Sequence, residues 1–132
     1  MHLRQLSVDI ALISAIGDDR LGHELQRRLI NAGVNVSMLG VHKTLETGFV
    51  CADIQPDGNA LYSILHDVAW DKPPIVPMPS PPEPLAIIYS SLAMRTAFAH
   101  SRIDAWLNAA GDAIRIFDVN LRPPHYCLDH IV

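Results

Sequence analysis

Apolar positions along the chain fall into short continuous runs separated by helical stripes. Val8 to Ile16 is nearly unbroken, which reads as a strand buried on both faces, as in a parallel sheet. Gly17-Asp18-Asp19 breaks the run. Either aspartate can cap the helix that follows, and a carboxylate suits the positive end of that helix. Leu21, Leu25 and Leu29 then recur every four residues, with Arg27 and Arg28 off the stripe. This predicts an amphipathic helix ending near Gly33, a C′ residue. Val34 to Val41 predicts a second, shorter strand, and strand, helix, strand in that order predicts a βαβ unit.

Thr47 to Ile54 and Ala60 to His66 are rich in strand formers, and Pro56-Asp57-Gly58-Asn59 between them carries turn chemistry. The prediction is a hairpin. Val50, Ala52 and Ile54 share one face while Phe49 and Cys51 share the other, so apolar residues lie on both. Such a hairpin needs cover on both faces, as a flap over a ligand, against a partner subunit or in an ordinary core. From Pro73 to Pro84, seven of twelve residues are proline. That composition excludes helix and central strand and predicts a stiff, extended connector, with a PxxP ligand as the alternative.

The second half repeats the first. Leu85 to Tyr89 predicts a strand, and a helical stretch begins near Leu92. Ile103, Trp106, Leu107 and Ala110 fall at helical spacing as a face packed on a sheet. Ser101 with Asp104 forms a capping-box-like pair. Gly111 closes the helix, and Ala113 to Val119 is the next strand. Two successive strand–helix–strand patterns make a mainly parallel α/β sheet the expected fold.

Composition narrows the setting. A chain of 132 residues with 49% hydrophobic and 18% charged residues fits one globular domain. A formal charge of −4 without a basic cluster argues against nucleic acid as a partner. No apolar run approaches the roughly 18 residues of a membrane span, and the first residues lack a signal-peptide core. Two cysteines, Cys51 and Cys127, make no disulfide framework. The expectation is a soluble protein in the reducing cytoplasm.

Candidate chemistry concentrates in Ile116 to Tyr126. The apolar run there ends in Asp118, Asn120 and Arg122 at alternate positions, followed by Pro123-Pro124. Alternate strand residues point to one side, so these three can converge on a ligand at a strand's C-terminal end, where open α/β sheets bind ligands. The alternative is an ion pair of Asp118 with Arg122 closing a strand–helix turn. His125, Cys127 and His130, with Asp129, lie close together, but their spacing matches no common zinc pattern, so no metal site is expected. Cys51 in a strand reads as a small core residue. There is no Gly-x-x-x-x-Gly-Lys-Ser/Thr phosphate loop.

Four segments together resemble the ribokinase-like (PfkB) carbohydrate kinase family. They are the Gly-x-Asp-x-x-Gly pattern Gly17-Asp18-Asp19-Arg20-Leu21-Gly22, the Thr47-Gly48 hairpin start leading to Asp67-Val68-Ala69-Trp70-Asp71, the stretch Ser91-Leu92-Ala93-Met94-Arg95-Thr96, and Phe117-Asp118-Val119-Asn120-Leu121-Arg122-Pro123. The Val-Ala-Trp-Asp and Asp-Val-Asn-Leu-Arg-Pro segments resemble the fructokinase branch. Ser90 departs from the Gly that many relatives carry there, adding a side chain near the expected sugar pocket. The resemblance covers the middle of such a kinase. The glycine-rich N-terminal sugar-binding segment, the Asn-x-x-Glu motif and the Gly-Ala-Gly-Asp motif with its catalytic Asp have no counterpart in these residues.

The resemblance implies a partial three-layer α/β/α sandwich with a mainly parallel sheet and a β-hairpin lid. Residues 1–132 would form a single partial kinase domain, with the lid at about 47–66 and the proline connector at 73–84. It implies ATP-dependent phosphoryl transfer to a sugar hydroxyl with Mg²⁺, and sugar and ATP as partners. Thr47 and Gly48 would sit at the base of the lid. Arg122 would face the transferring phosphate or an anionic substrate group, since its planar fork suits phosphate oxygens. Asn120 would orient neighbouring groups and Asp118 would be their strand-end partner. Asp18, Asp19 and Gly22 read better as cap and close packing than as ligand contacts. No catalytic base or metal ligand is assigned. The alternative is a non-catalytic kinase-like protein that self-associates as a homodimer through its lid and sheet edges.

Overall fold

Parallel pairing across a helix organises both halves of the chain. The computed structural model describes residues 2–75 and 84–126, and these divide into two compact units, Met1–Pro74 and Ile75–Val132. The boundary falls inside the proline-rich stretch, of which residues 76–83 lie outside the described residues.

In the first unit a short helix α1 (His2–Gln5) precedes β1 (Ser14–Gly17), α2 (Arg20–Asn31) and β2 (Leu39–His42). β1 and β2 pair in parallel, Ser14 opposite Leu39 through Gly17 opposite His42. The ladder is shorter than the apolar runs that announce it. Ahead of β1, Ala11 bridges to Asn35, whose amide donates to the Ile10 carbonyl (3.0 Å). Burial follows the ladder: Ala15 and Ile16 are buried, whereas Val8 is exposed. Asp19 caps α2 from an extended conformation, and Gly33 ends it with φ of 74°, both as the sequence predicts. The leucine stripe, however, stays open, with Leu21 46% and Leu25 42% exposed. Two four-residue strands offer too little surface to cover a helix of twelve residues.

Between Gly48 and Asp67 rises the predicted hairpin, β3 (Val50–Ile54) and β4 (Ala60–Ile64), antiparallel with Val50 opposite Ile64 and Ile54 opposite Ala60. The Gln55 amide donates to the Asn59 carbonyl, and Gly58 takes φ of 84° at the turn. Every residue of β3 is exposed, and only Ile64 of β4 is buried. Cys51 is therefore exposed, not a core residue. A 3₁₀ turn (Ala69–Asp71) follows the hairpin.

The second unit contains β5 (Ala86–Ser90), α3 (Ala97–Ala109) and β6 (Ile114–Asp118). The two strands pair in parallel, Ala86 opposite Ile114 through Ser90 opposite Asp118. Ile103, Trp106, Leu107 and Ala110 are buried, as their spacing predicts. The helix starts five residues later than expected. Residues 91–95 form turns, with the Met94 amide donating to the Ser91 carbonyl (3.1 Å), and Thr96 is the cap, its hydroxyl accepting from the Ala99 amide (3.1 Å). Ser101 and Asp104 are not a capping pair, because both lie inside the helix. Ser101 Oγ donates back to the Phe98 carbonyl (2.8 Å), and Asp104 pairs with His100 (3.1 Å).

One face of the β5–β6 pair carries Tyr89 and Phe117, whose ring centroids lie 5.1 Å apart with the planes tilted by 34°, and Arg115, which donates to the Leu107 carbonyl of α3 (3.2 Å). The other face carries Ala86, Ile88, Ile114 and Ile116, all exposed. Among the described residues the strands form three two-stranded pairs, two parallel and one antiparallel, a mixed α/β arrangement. Among the described residues no helix is long and apolar enough to cross a membrane.

Candidate functional site

The Gly-x-Asp-x-x-Gly turn gains its meaning from Thr47. Asp19 stands between the end of β1 and the first turn of α2, and its carboxylate accepts three hydrogen bonds. Oδ1 takes the Gly22 amide (2.8 Å) and the Thr47 hydroxyl (2.8 Å), and Oδ2 takes the Thr47 amide (2.7 Å). Thr47 Oγ1 in turn accepts from the Gly17 amide (2.9 Å). Thr47 is buried, and both its hydroxyl and its amide are spent inside this cluster. Donation from two amides, Thr47 first and Gly22 next, holds the Asp19 carboxyl below its ordinary range.

The two glycines are required by closeness. A Cβ on Gly22 would overlap the Gly17 carbonyl oxygen and lie 2.7 Å from Thr47 Oγ1. A Cβ on Gly17 would overlap Asp19 Oδ2 and lie 2.7 Å from both the Leu45 carbonyl oxygen and the Thr47 amide. Gly48 lies against Val68 and the Trp70 ring, where an added Cβ would be 2.9 Å from Val68 Cγ2. Opposite, the Ala69 amide donates to the Glu46 carbonyl (2.9 Å), and Val68 and Ala69 are buried. Both roots of the hairpin are therefore fixed in one buried cluster. Asp19 as cap and Gly22 as close packing agree with the sequence reading. The tie to Thr47, across 28 residues, is invisible to local patterning.

Asp118, Asn120 and Arg122 belong to the second unit. Asp118 is the last residue of β6, and its carbonyl accepts from the Ser91 amide (3.1 Å) and the Asn120 amide (2.9 Å). The strand ends there, so Asn120 and Arg122 do not alternate along a ladder. They are joined instead by a side-chain bond, Arg122 Nε to Asn120 Oδ1 (2.9 Å). The carbonyl of Arg122 accepts from the amide of buried His125 (2.6 Å), beyond the cis Pro123–Pro124 bond. An exposed guanidinium with one nitrogen oriented by an amide oxygen suits an anionic group of a ligand. Ser90, opposite Asp118 in the ladder, accepts at Oγ from the Ala93 amide (3.2 Å). Cys127, Asp129 and His130 lie outside the described residues. Among the described residues no three His, Cys, Asp or Glu side chains are grouped to hold a metal ion.

No protein-family model and no curated protein matches the sequence. Solved structures do. The chain aligns with the fructokinase of Halothermothrix orenii at a TM-score of 0.84 and 18% identity, over 95% of this chain and 45% of that one. An uncharacterized sugar kinase of Pyrococcus horikoshii in complex with ATP aligns at 0.76 and 22% identity, over 95% and 40%. The fructokinase of Vibrio cholerae in its fructose, ADP and calcium ion bound form aligns at 0.75 and 20% identity, over 92% and 41%. The chain thus spans less than half the length of each of these structures. At these identities the likeness is one of fold, and the chain has the fold of part of these kinase structures.

Proposed function

We propose that this chain is the sugar-facing part of a fructokinase-like carbohydrate kinase of the PfkB family, one partial domain of the three-layer α/β/α type in which both units take part. The reaction is ATP-dependent phosphoryl transfer to a sugar hydroxyl. The observation that carries the reading is the structural match to fructokinases over nearly the whole chain. The hairpin serves as a lid with Thr47 and Gly48 at its base. Asn120 orients Arg122, and Arg122 binds an anionic group of substrate or nucleotide, with Asp118 at the strand end beside them. ATP with Mg²⁺ supplies the phosphoryl group when bound. Phosphoryl transfer depends on positioning and charge neutralisation, and these residues contribute to both without supplying the base. The cytoplasm is the setting proposed for it.

Calorimetric titration with fructose and with ATP, plus an ATP-consumption assay over a panel of hexoses at high protein concentration, tests this. Binding of either ligand, weakened by Arg122→Ala for the anionic one, is expected. No heat with either ligand removes the reading. A second reading, a non-catalytic homodimer joined through lid and sheet edges, is favoured by the exposed apolar residues on the hairpin and on the β5–β6 face. Sedimentation velocity showing a dimer without ligand heat would select it.

A further inference from the structure

We infer that Ser91 is a ligand-contacting, specificity-determining residue at the carboxyl end of the β5–β6 pair, its buried hydroxyl held for a hydroxyl group of the sugar. The identity of the ligand rests on the fructokinase reading above, which does not itself involve this residue.

Three observations converge. First, Ser91 is 5% exposed, and among the described residues its Oγ has no hydrogen-bond partner. A buried hydroxyl that gives up water without gaining a bond weakens the fold. Second, this is particular to Ser91. The hydroxyls around it are all engaged: Ser90 Oγ accepts from the Ala93 amide, Thr96 Oγ1 accepts from the Ala99 amide, and Ser101 Oγ donates to the Phe98 carbonyl. The segment has therefore paired the hydroxyls that its own backbone uses. Third, Ser91 is pinned at the end of the sheet where α/β folds present ligands. Its amide donates to the Asp118 carbonyl (3.1 Å), and its carbonyl accepts from the Met94 amide (3.1 Å). The same Asp118 carbonyl accepts from the Asn120 amide (2.9 Å), and Asn120 Oδ1 holds Arg122 Nε (2.9 Å). One carbonyl oxygen thus joins Ser91 to the residues proposed to meet the anionic group. With the main chain committed, a turn of χ1 between staggered wells presents the hydroxyl without moving the backbone. A site built to hydrogen-bond a substrate hydroxyl rejects the analogue lacking it far more strongly than apolar contact can.

Calorimetric titration of the full chain with fructose and with each monodeoxyfructose, for wild type, Ser91→Ala and Arg122→Ala, tests the assignment. In wild type one deoxy position is expected to bind about tenfold more weakly than fructose, the loss of one hydrogen bond. Ser91→Ala should weaken fructose by the same factor and leave that one analogue unchanged, so discrimination vanishes at that position alone. Arg122→Ala should retain it. In urea unfolding without ligand, Ser91→Ala should keep a midpoint equal to or above wild type, because alanine removes a hydroxyl that has no bond to lose. A lowered midpoint, or a variant that does not fold, shows that the hydroxyl is already bonded inside the protein, directly or through an internal water, and overturns the proposal. Equal discrimination in wild type and Ser91→Ala overturns it while the fructokinase reading stands. Absence of fructose binding in wild type removes both.

Discussion

Gly22→Ala sets two effects of opposite sign against each other. Gly22 lies inside α2, where alanine is favoured over glycine by about 0.8–1.0 kcal/mol. On propensity alone the substitution stabilises. The added methyl, however, would overlap the Gly17 carbonyl oxygen and lie 2.7 Å from Thr47 Oγ1. Neither neighbour is the free end of a flexible side chain. One is backbone at the end of β1, and the other is a buried hydroxyl bonded on two sides. Overpacking of this kind costs about 1–3 kcal/mol, and pushing Thr47 off Asp19 forfeits about 1 kcal/mol per hydrogen bond lost. The net expectation is destabilisation by about 1–3 kcal/mol. Urea unfolding followed by far-ultraviolet circular dichroism measures it, with Gln26→Ala, an ordinary position of the same helix, as the reference. A midpoint for Gly22→Ala equal to or above wild type would show that the turn has slack and that the close packing assigned to it is wrong.

Other expectations follow from single features. The Asp19 carboxyl has a folded-state pKa lowered by the Thr47 and Gly22 amides. Its stabilising contribution is therefore complete above the unfolded value of about 3.9 and is lost as pH falls through the lower, folded value. The stability gap between wild type and Asp19→Asn should narrow in urea titrations stepped downward from about pH 4, and a gap constant with pH would contradict the assignment. Trp106, buried in the face of α3, should cost about 3–5 kcal/mol on change to alanine, read by loss of near-ultraviolet dichroism. Ile88→Lys, on the open face of β5–β6, should shift stability by no more than about 0.5 kcal/mol. A larger loss, with a fall in sedimentation coefficient, would show that the face is covered by a second copy.

Periodicity made most elements legible. The hairpin, the Asp19 cap, Gly33 and the buried face of α3 were all readable, because each depends on neighbours within a few residues. Extents were less so. The run from Val8 to Ile16 is nearly all apolar, yet of it only Ser14 to Ile16 enter the ladder, with Gly17 after them, since pairing depends on what Leu39–His42 can reach. The late start of α3 reflects competition. Ser91 to Arg95 close turns with their own backbone, and Thr96 supplies the cap that Ser101 cannot supply from inside the helix. At the candidate site, the Asn120–Arg122 bond spans two residues but forms beyond the end of β6, which the alternation of residues 118, 120 and 122 does not foretell. Thr47 was readable as the foot of the hairpin. Its partner, Asp19, was read only as a cap, because a bond across 28 residues leaves no local trace.

The two kinds of strand pairing also differ in what must exist before they can form. The antiparallel arm needs only the short turn from Gln55 to Asn59, so its closure is local and fast. Each parallel pair must close a longer segment that includes an intervening helix, which raises the entropic cost of closure. During synthesis or refolding the arm can therefore close before either parallel pair has met, and the two crossover pairings set the pace at which the fold is completed.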